Sequence, residues 1–169
     1  SGGDVLRGHH VNNLVHKAEV YNTYGPSETT VCASYYRCRD GQILEDGTYP
    51  IGHPVLGASI KILDADGKEL QEGVTGEICI YGDGVSNGYT GDHAEENKAF
   101  VKLEDGSTMY RSGDLGYILP NGNIAFLHRK DTQIMIYGKR VEVMEVESKL
   151  YQCSGVEQAI VRPFTDEEG

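Results

Sequence analysis

Residues 76–82 read Gly76-Glu77-Ile78-Cys79-Ile80-Tyr81-Gly82. Polar and apolar side chains alternate from Glu77 to Tyr81, the period of a strand with one face buried. Turn signals bracket the run, Glu72-Gly73 before it and Asp83-Gly84 after it. The same grammar extends in both directions. Ile60-Lys61-Ile62-Leu63 leads into an Asp-x-x-Gly turn at Asp64 to Gly67, and residues 29–36, 123–127 and 133–137 are further β-branched, aromatic or alternating runs. Asp40-Gly41, Asp46-Gly47, Asn87-Gly88, Asp105-Gly106 and Asn121-Gly122 supply more turns. Short strands separated by such pairs predict an antiparallel β domain with tight hairpins. The 22 glycines in 169 residues, about twice average usage, are mostly turn chemistry.

Helical patterns interrupt the strands. Residues 12–17 suit a short helix, residues 92–100 suit another with Asp92 as a cap, and residues 142–151 place Val143, Val146 and Leu150 on one face. Residues 156–161 read as one more strand. The change from all-strand to mixed pattern near Asp131 is the expected domain boundary, dividing the chain into 1–130 and 131–169.

Charge and composition exclude several classes. Fifteen Lys+Arg against 26 Asp+Glu leave a net charge of −11. That field repels phosphate backbones, so neither a nucleic-acid coat nor a membrane-surface binder is expected. No apolar run reaches the length of a membrane span, and the first residues lack the pattern of a secretory signal. Cys32, Cys38, Cys79 and Cys153 form no C-x-x-C pair. Reduced cysteines in a cytoplasmic protein are the expectation, with no metal on them.

The segment with chemical content is Tyr21-Asn22-Thr23-Tyr24-Gly25-Pro26-Ser27-Glu28-Thr29-Thr30. A Gly-Pro turn here presents a hydroxyl, a carboxylate and two more hydroxyls. Backbone donors and a serine can hold a phosphate oxygen, and a glutamate can hold the Mg²⁺ that phosphates bring. On the residues alone, a strand–turn–strand with polar turn residues explains it as well.

The decapeptide resembles the Asn-x-Tyr-Gly-Pro-Thr-Glu signature of adenylate-forming enzymes, with Ser27 in place of the usual Thr. Three later segments resemble the family's further blocks in the same order. They are Gly76 to Gly82 with Gly88-Tyr89, Tyr110-Arg111-Ser112-Gly113-Asp114-Leu115, and Arg129-Lys130-Asp131 through Glu147. The resemblance implies a β-rich α+β fold. Residues 1–130 would be the distorted antiparallel β-barrel subdomain that ends the large domain, and 131–169 the start of the small C-terminal domain. It also implies an AMP-forming ligase that activates a small carboxylic acid with ATP and passes the acyl group to a phosphopantetheine thiol on a carrier protein. Asn22 points to the amino-acid branch, the adenylation domains of nonribosomal peptide synthetases and D-alanine–carrier-protein ligases.

By motif match, Ser27 would bond an α-phosphate oxygen, Glu28 would help hold Mg²⁺, and Arg129 would reach the ribose or phosphate. Tyr24, Gly25, Gly3 and Phe126 would border the adenine of ATP or AMP, and Asp114 would accept both ribose hydroxyls. Asp131 would be the hinge. Gly2, Thr23, Val31 and Cys32 would line the carboxylic-acid pocket. His128, Met135, Tyr137 and Met144 depart from the family pattern. The family's upstream phosphate loop and its C-terminal catalytic Lys have no match here, so an excised segment, inactive alone, is expected. An acyl-coenzyme A ligase fragment and a non-catalytic β-rich binding module are the alternatives.

Overall fold

The computed structural model describes residues 5–40, 42–130, 133–136 and 139–162. They form two compact units, 1–127 and 128–169. The first begins with one helical turn, α1 (Gly8–Val11), and an antiparallel sheet of β1 (Tyr21–Tyr24), β2 (Ser34–Arg37) and β3 (His53–Pro54) in that order. Arg37 and Arg39 grip Glu19 at 2.6 and 3.0 Å beside this hairpin and hold its carboxyl down to about 2. A second antiparallel sheet runs β4 (Ala58–Leu63), β5 (Gly76–Gly82), β7 (Thr108–Ile118), β6 (Phe100–Lys102), with β8 (Ile124–Arg129) also on β7. The two sheets meet at a bridge, where the Ile51 amide donates to Ile124 O at 2.8 Å and the Ile124 amide to Gly52 O at 2.9 Å. The architecture is the β-rich α+β class read from the sequence.

β5 is the spine. Its neighbours are β4 and β7, and five consecutive residues, Gly76–Ile80, are buried. Ile78 and Ile80 join Ile62, Ala33, Ile51 and Ile124 in one core cluster, while Cys79 packs with Leu63 and Met109 on the other face. A two-faced strand needs no polar face, so the alternation expected from Glu77 to Tyr81 gives no exposed face up to Ile80. Each fully buried isoleucine contributes about 2 kcal/mol of transfer energy. A third cluster, of Leu6, Val11, Tyr36, Cys38 and Tyr49, sits under α1 and β2.

Several local expectations are corrected. The helix expected at 12–17 is turns after α1, closed by Leu14 N to Val11 O and Ala18 N to Leu14 O. The helix at 92–100 shrinks to a 3₁₀ turn, Glu96–Ala99. The run 29–36 is strand only from Ser34.

The second unit holds an antiparallel pair, β9 (Gln133–Ile136) and β10 (Lys139–Glu142), then α2 (Val143–Tyr151). Val143 is buried, whereas Val146 and Leu150 are exposed. Residues 156–161 are not a strand. The Val161 amide instead donates to Glu147 Oε1 of α2 at 2.7 Å. Among the described residues no helix is long and apolar enough to cross a membrane.

Candidate functional site

The site is built on a defect in β7. Leu115 faces Glu77 and Arg111 faces Cys79, so Ser112, Gly113 and Asp114 together oppose the single residue Ile78. Two extra residues in one strand bulge out of the ladder and re-aim their side chains. Gly113 sits at φ +73°, where a side chain would be strained. The bulge closes on its own hydrogen bonds. The Ser112 hydroxyl donates to Ile78 O at 2.7 Å and accepts the Asp114 amide at 3.0 Å. The Gly113 amide donates to Glu77 Oε1 at 3.1 Å, and Arg111 Nε donates to Glu77 Oε2 at 2.8 Å.

The bulge delivers Asp114, buried, to the end of β1. There the Tyr24 hydroxyl donates to Asp114 Oδ2 at 2.6 Å. Burial and then the neighbouring Asp114 charge push the Tyr24 phenol far above its ordinary range, so it stays a donor. The Phe126 ring, from β8, lies 6.3 Å from the Tyr24 ring at 40°. Tyr24, Asp114 and Phe126 thus come from three strands to one place. A carboxylate accepts about four hydrogen bonds, and Tyr24 supplies one.

β1 is anchored by buried Asn22, whose Nδ2 donates to Pro50 O at 2.9 Å and Tyr49 O at 3.3 Å. After Tyr24 the chain turns back on itself. A Cβ on Gly25 would lie 2.6 Å from Ala33 N and 2.7 Å from Val31 O, so only glycine admits this return. Pro26 leads into a 3₁₀ turn, Ser27–Thr29, and its carbonyl accepts the amides of Thr29 at 3.0 Å and Val31 at 3.2 Å. The Ser27 side chain is exposed at the start of that turn. Thr30 and Val31 follow at φ 60° and 69°. Two β-branched residues in the left-handed region store roughly 1–3 kcal/mol each. The strand propensity of this run, which favoured a β reading, is overridden by the turn that Gly25 and Pro26 impose.

Of the residues expected to line a carboxylic-acid pocket, Cys32 does border a cavity of about 240 Å³, with Thr29, Ala33, Val55, Ile80 and Val85. Val31 is 71% exposed beside it. Thr23 lies in β1 opposite Tyr35. Gly2, Gly3 and Asp131 lie outside the described residues. Arg129 ends β8 in the second unit.

Glu28 has a partner that the sequence reading missed. The Tyr89 hydroxyl donates to Glu28 Oε1. That bond, then burial, raises the Tyr89 phenol well above its usual range. The loop carrying Tyr89 is stitched to the turn by Ser86 N to Glu28 O at 2.8 Å and Thr30 Oγ1 to Gly84 O at 2.8 Å. Gly88-Tyr89 stood in the quoted blocks, but nothing local tied it to Glu28. Among the described residues no three His, Cys, Asp or Glu gather as a metal cage. A lone carboxylate fits Mg²⁺, which phosphates and water hold for the most part.

Known proteins match this chain over most of its length. A 42% identity over 168 residues, 99% of the chain, relates it to "Bacitracin synthase 2" of Bacillus licheniformis. A 42% identity over 152 residues, 90% of the chain, relates it to the "D-alanine--D-alanyl carrier protein ligase" of the same species. A solved "NRPS protein containing adenylation and PCP domains" superposes with a TM-score of 0.66 at 28% identity over 93% of the chain. The chain spans 6%, 30% and 33% of those three proteins, respectively. The AMP-binding enzyme model matches residues 1–90, a stretch that runs from the first residue through the Gly-Pro turn to Tyr89. The chain belongs to the AMP-binding enzyme family.

Proposed function

We propose that the protein carrying this chain is an AMP-forming ligase that activates an amino acid with ATP and hands it to a carrier-protein thiol. The observation that carries this reading is the 2.6 Å bond from Tyr24 to Asp114, which joins two motifs 90 residues apart. In the reaction, a carboxylate oxygen bonds the α-phosphorus and the bond to the β-phosphate breaks, releasing pyrophosphate. A thiol then takes the acyl group and AMP leaves. The thiol would be the phosphopantetheine of a carrier protein, the kind of partner for which one relative is named. Positioning and charge stabilisation dominate such chemistry.

In this reading Asp114 accepts the ribose hydroxyls. Tyr24, Gly25, Gly3 and Phe126 border the adenine, and an aromatic ring serves there because stacking needs only a π-face. Ser27 donates to an α-phosphate oxygen, and Arg129 supplies positive charge to ribose or phosphate. Mg²⁺, when bound, would offset phosphate charge, and Glu28 is the residue that would hold it. Gly2, Thr23, Val31 and Cys32 face the amino acid, which their small size leaves room for. Residues 1–130 close the large domain, 131–169 open the small one, and Asp131 is the hinge between thiol-transfer and adenylation arrangements. The site of action is cytoplasmic, where carrier protein and ATP meet.

The test is amino-acid-dependent exchange of pyrophosphate into ATP by the full-length protein. Exchange with at least one amino acid is expected, and none from residues 1–169 alone. A full-length protein that exchanges with no amino acid overturns the assignment.

A further inference from the structure

Glu77 is an unusual residue for its place. It lies on the central strand β5, only 5% exposed, directly before the buried Ile78-Cys79-Ile80. A buried carboxylate is costly, and a well-packed apolar side chain of similar volume is often at least as stabilising. Its two oxygens do different things. Oε2 takes the Arg111 guanidinium, through Nε at 2.8 Å and through Nη2. Oε1 takes the Gly113 amide at 3.1 Å. These partners flank Ser112 in β7, so one side chain spans the start of the bulge that presents Asp114.

We propose that Glu77 is a positioning residue for the nucleotide site, holding the β7 bulge in the register that brings Asp114 to Tyr24. The reason is geometric. A bulge with two extra residues competes with flatter pairings, and a slip of one residue turns every later side chain to the other face. The Gly113 amide has lost its place in the ladder, and Glu77 Oε1 is the acceptor that replaces it. Arg111 holds that carboxylate in place by donating to its other oxygen, through Nε at 2.8 Å and through Nη2. Ser112 closes the arc on the main chain of Ile78. The inference rests on the reading of Asp114 as the ribose acceptor.

The experiment compares ATP with 2′,3′-dideoxy-ATP in the full-length protein, as the ratio of their KM values in pyrophosphate exchange. Four proteins are assayed: wild type, Asp114→Asn, Glu77→Gln, and the pair Glu77→Leu with Arg111→Leu, which leaves no charge without its partner. Wild type and Asp114→Asn set the scale, preference for ATP present and then lost. The Leu pair is expected to lose roughly tenfold or more of that preference, the worth of a hydrogen bond to a charged group. KM for the amino acid should not move. Glu77→Gln keeps an oxygen for the Gly113 amide and is expected to fall between the Leu pair and wild type. It also serves if the pair fails to melt cooperatively. Wild-type preference in both Glu77 variants, with Asp114→Asn impaired, overturns the positioning role and leaves the ribose reading standing. Wild-type preference in Asp114→Asn overturns the ribose reading and the Glu77 proposal together.

Discussion

Tyr24 shows how a single hydroxyl joins parts of the chain that are distant in sequence. Its bond to Asp114 pairs a phenol held protonated with a buried carboxylate. Tyr24→Phe removes the donor and little volume. The expected cost is about 1–3 kcal/mol, the range for leaving a buried acceptor without its donor. Its folded-state phenol is raised above the ordinary value of 10.0, so the contribution is present in full below that pH and is lost as pH rises from there through the raised value. Denaturation of the chain and its Phe variant should therefore give a constant gap from neutral pH to the ordinary phenol range. A gap that closes below that range contradicts the assignment of the proton to Tyr24. Tyr24 and Asp114 were legible as residues because each carries a role in a quoted block, and Phe126 because of its position just before the last block. Glu77 and Tyr89 were not legible as site residues. A carboxylate in an alternating run looks like the solvent face of a strand, and only the pairing of β5 with a bulged β7 reveals its partner.

Elements were legible where hydrophobic period and turn chemistry agreed. β4, β5, β8, β9 and α2 fall close to their expected places. The failures have a common physical source. Residues 29–33 have strand propensity, but the return forced at Gly25 and Pro26 holds them in a tight turn. Residues 156–161 have the same propensity, and their backbone is drawn to α2 instead. Propensity is a weak prior against such tertiary demands. The turn keeps the mark of that conflict in Val31 at φ 69°. Val31→Gly removes a left-handed β-branched residue. Relief of roughly 1–2 kcal/mol outweighs the added freedom of glycine in the unfolded chain, so a gain of up to about 1 kcal/mol is expected. Thermal unfolding checks it, and a loss of stability contradicts the strain account. Val31 is 71% exposed next to the cavity that Cys32 borders, so packing does not oppose the change. If strain is kept there for substrate contact, the same variant should stabilise the protein and raise KM for the amino acid.

At the scale of the whole molecule, the clusters decide which part of the chain can stand alone. The three apolar clusters draw on residues 6 to 126. All of β1 to β8 ends by Arg129. The second unit has a two-stranded pair, one nine-residue helix and, among its described side chains, Val143 as a buried apolar residue. A two-stranded hairpin is marginal by itself, and so is a helix this short. A chain ending at Lys130 should therefore unfold cooperatively, with a midpoint within a few degrees of residues 1–169, since no member of the three clusters is removed. Residues 131–169 alone should show no cooperative transition by circular dichroism. The compact units divide at 127/128, and beyond that point strands packed on both faces give way to a strand pair and a short helix. Cooperative melting by residues 131–169, or its loss in residues 1–130, would mean that the described clusters do not hold the stabilising contacts. Exchange activity is a separate measurement, and neither piece should have it. The Tyr24–Asp114 pair lies wholly within residues 1–130, so a truncated chain that melts normally should retain that pair. Tyr24→Phe should then cost the same in residues 1–130 as in residues 1–169.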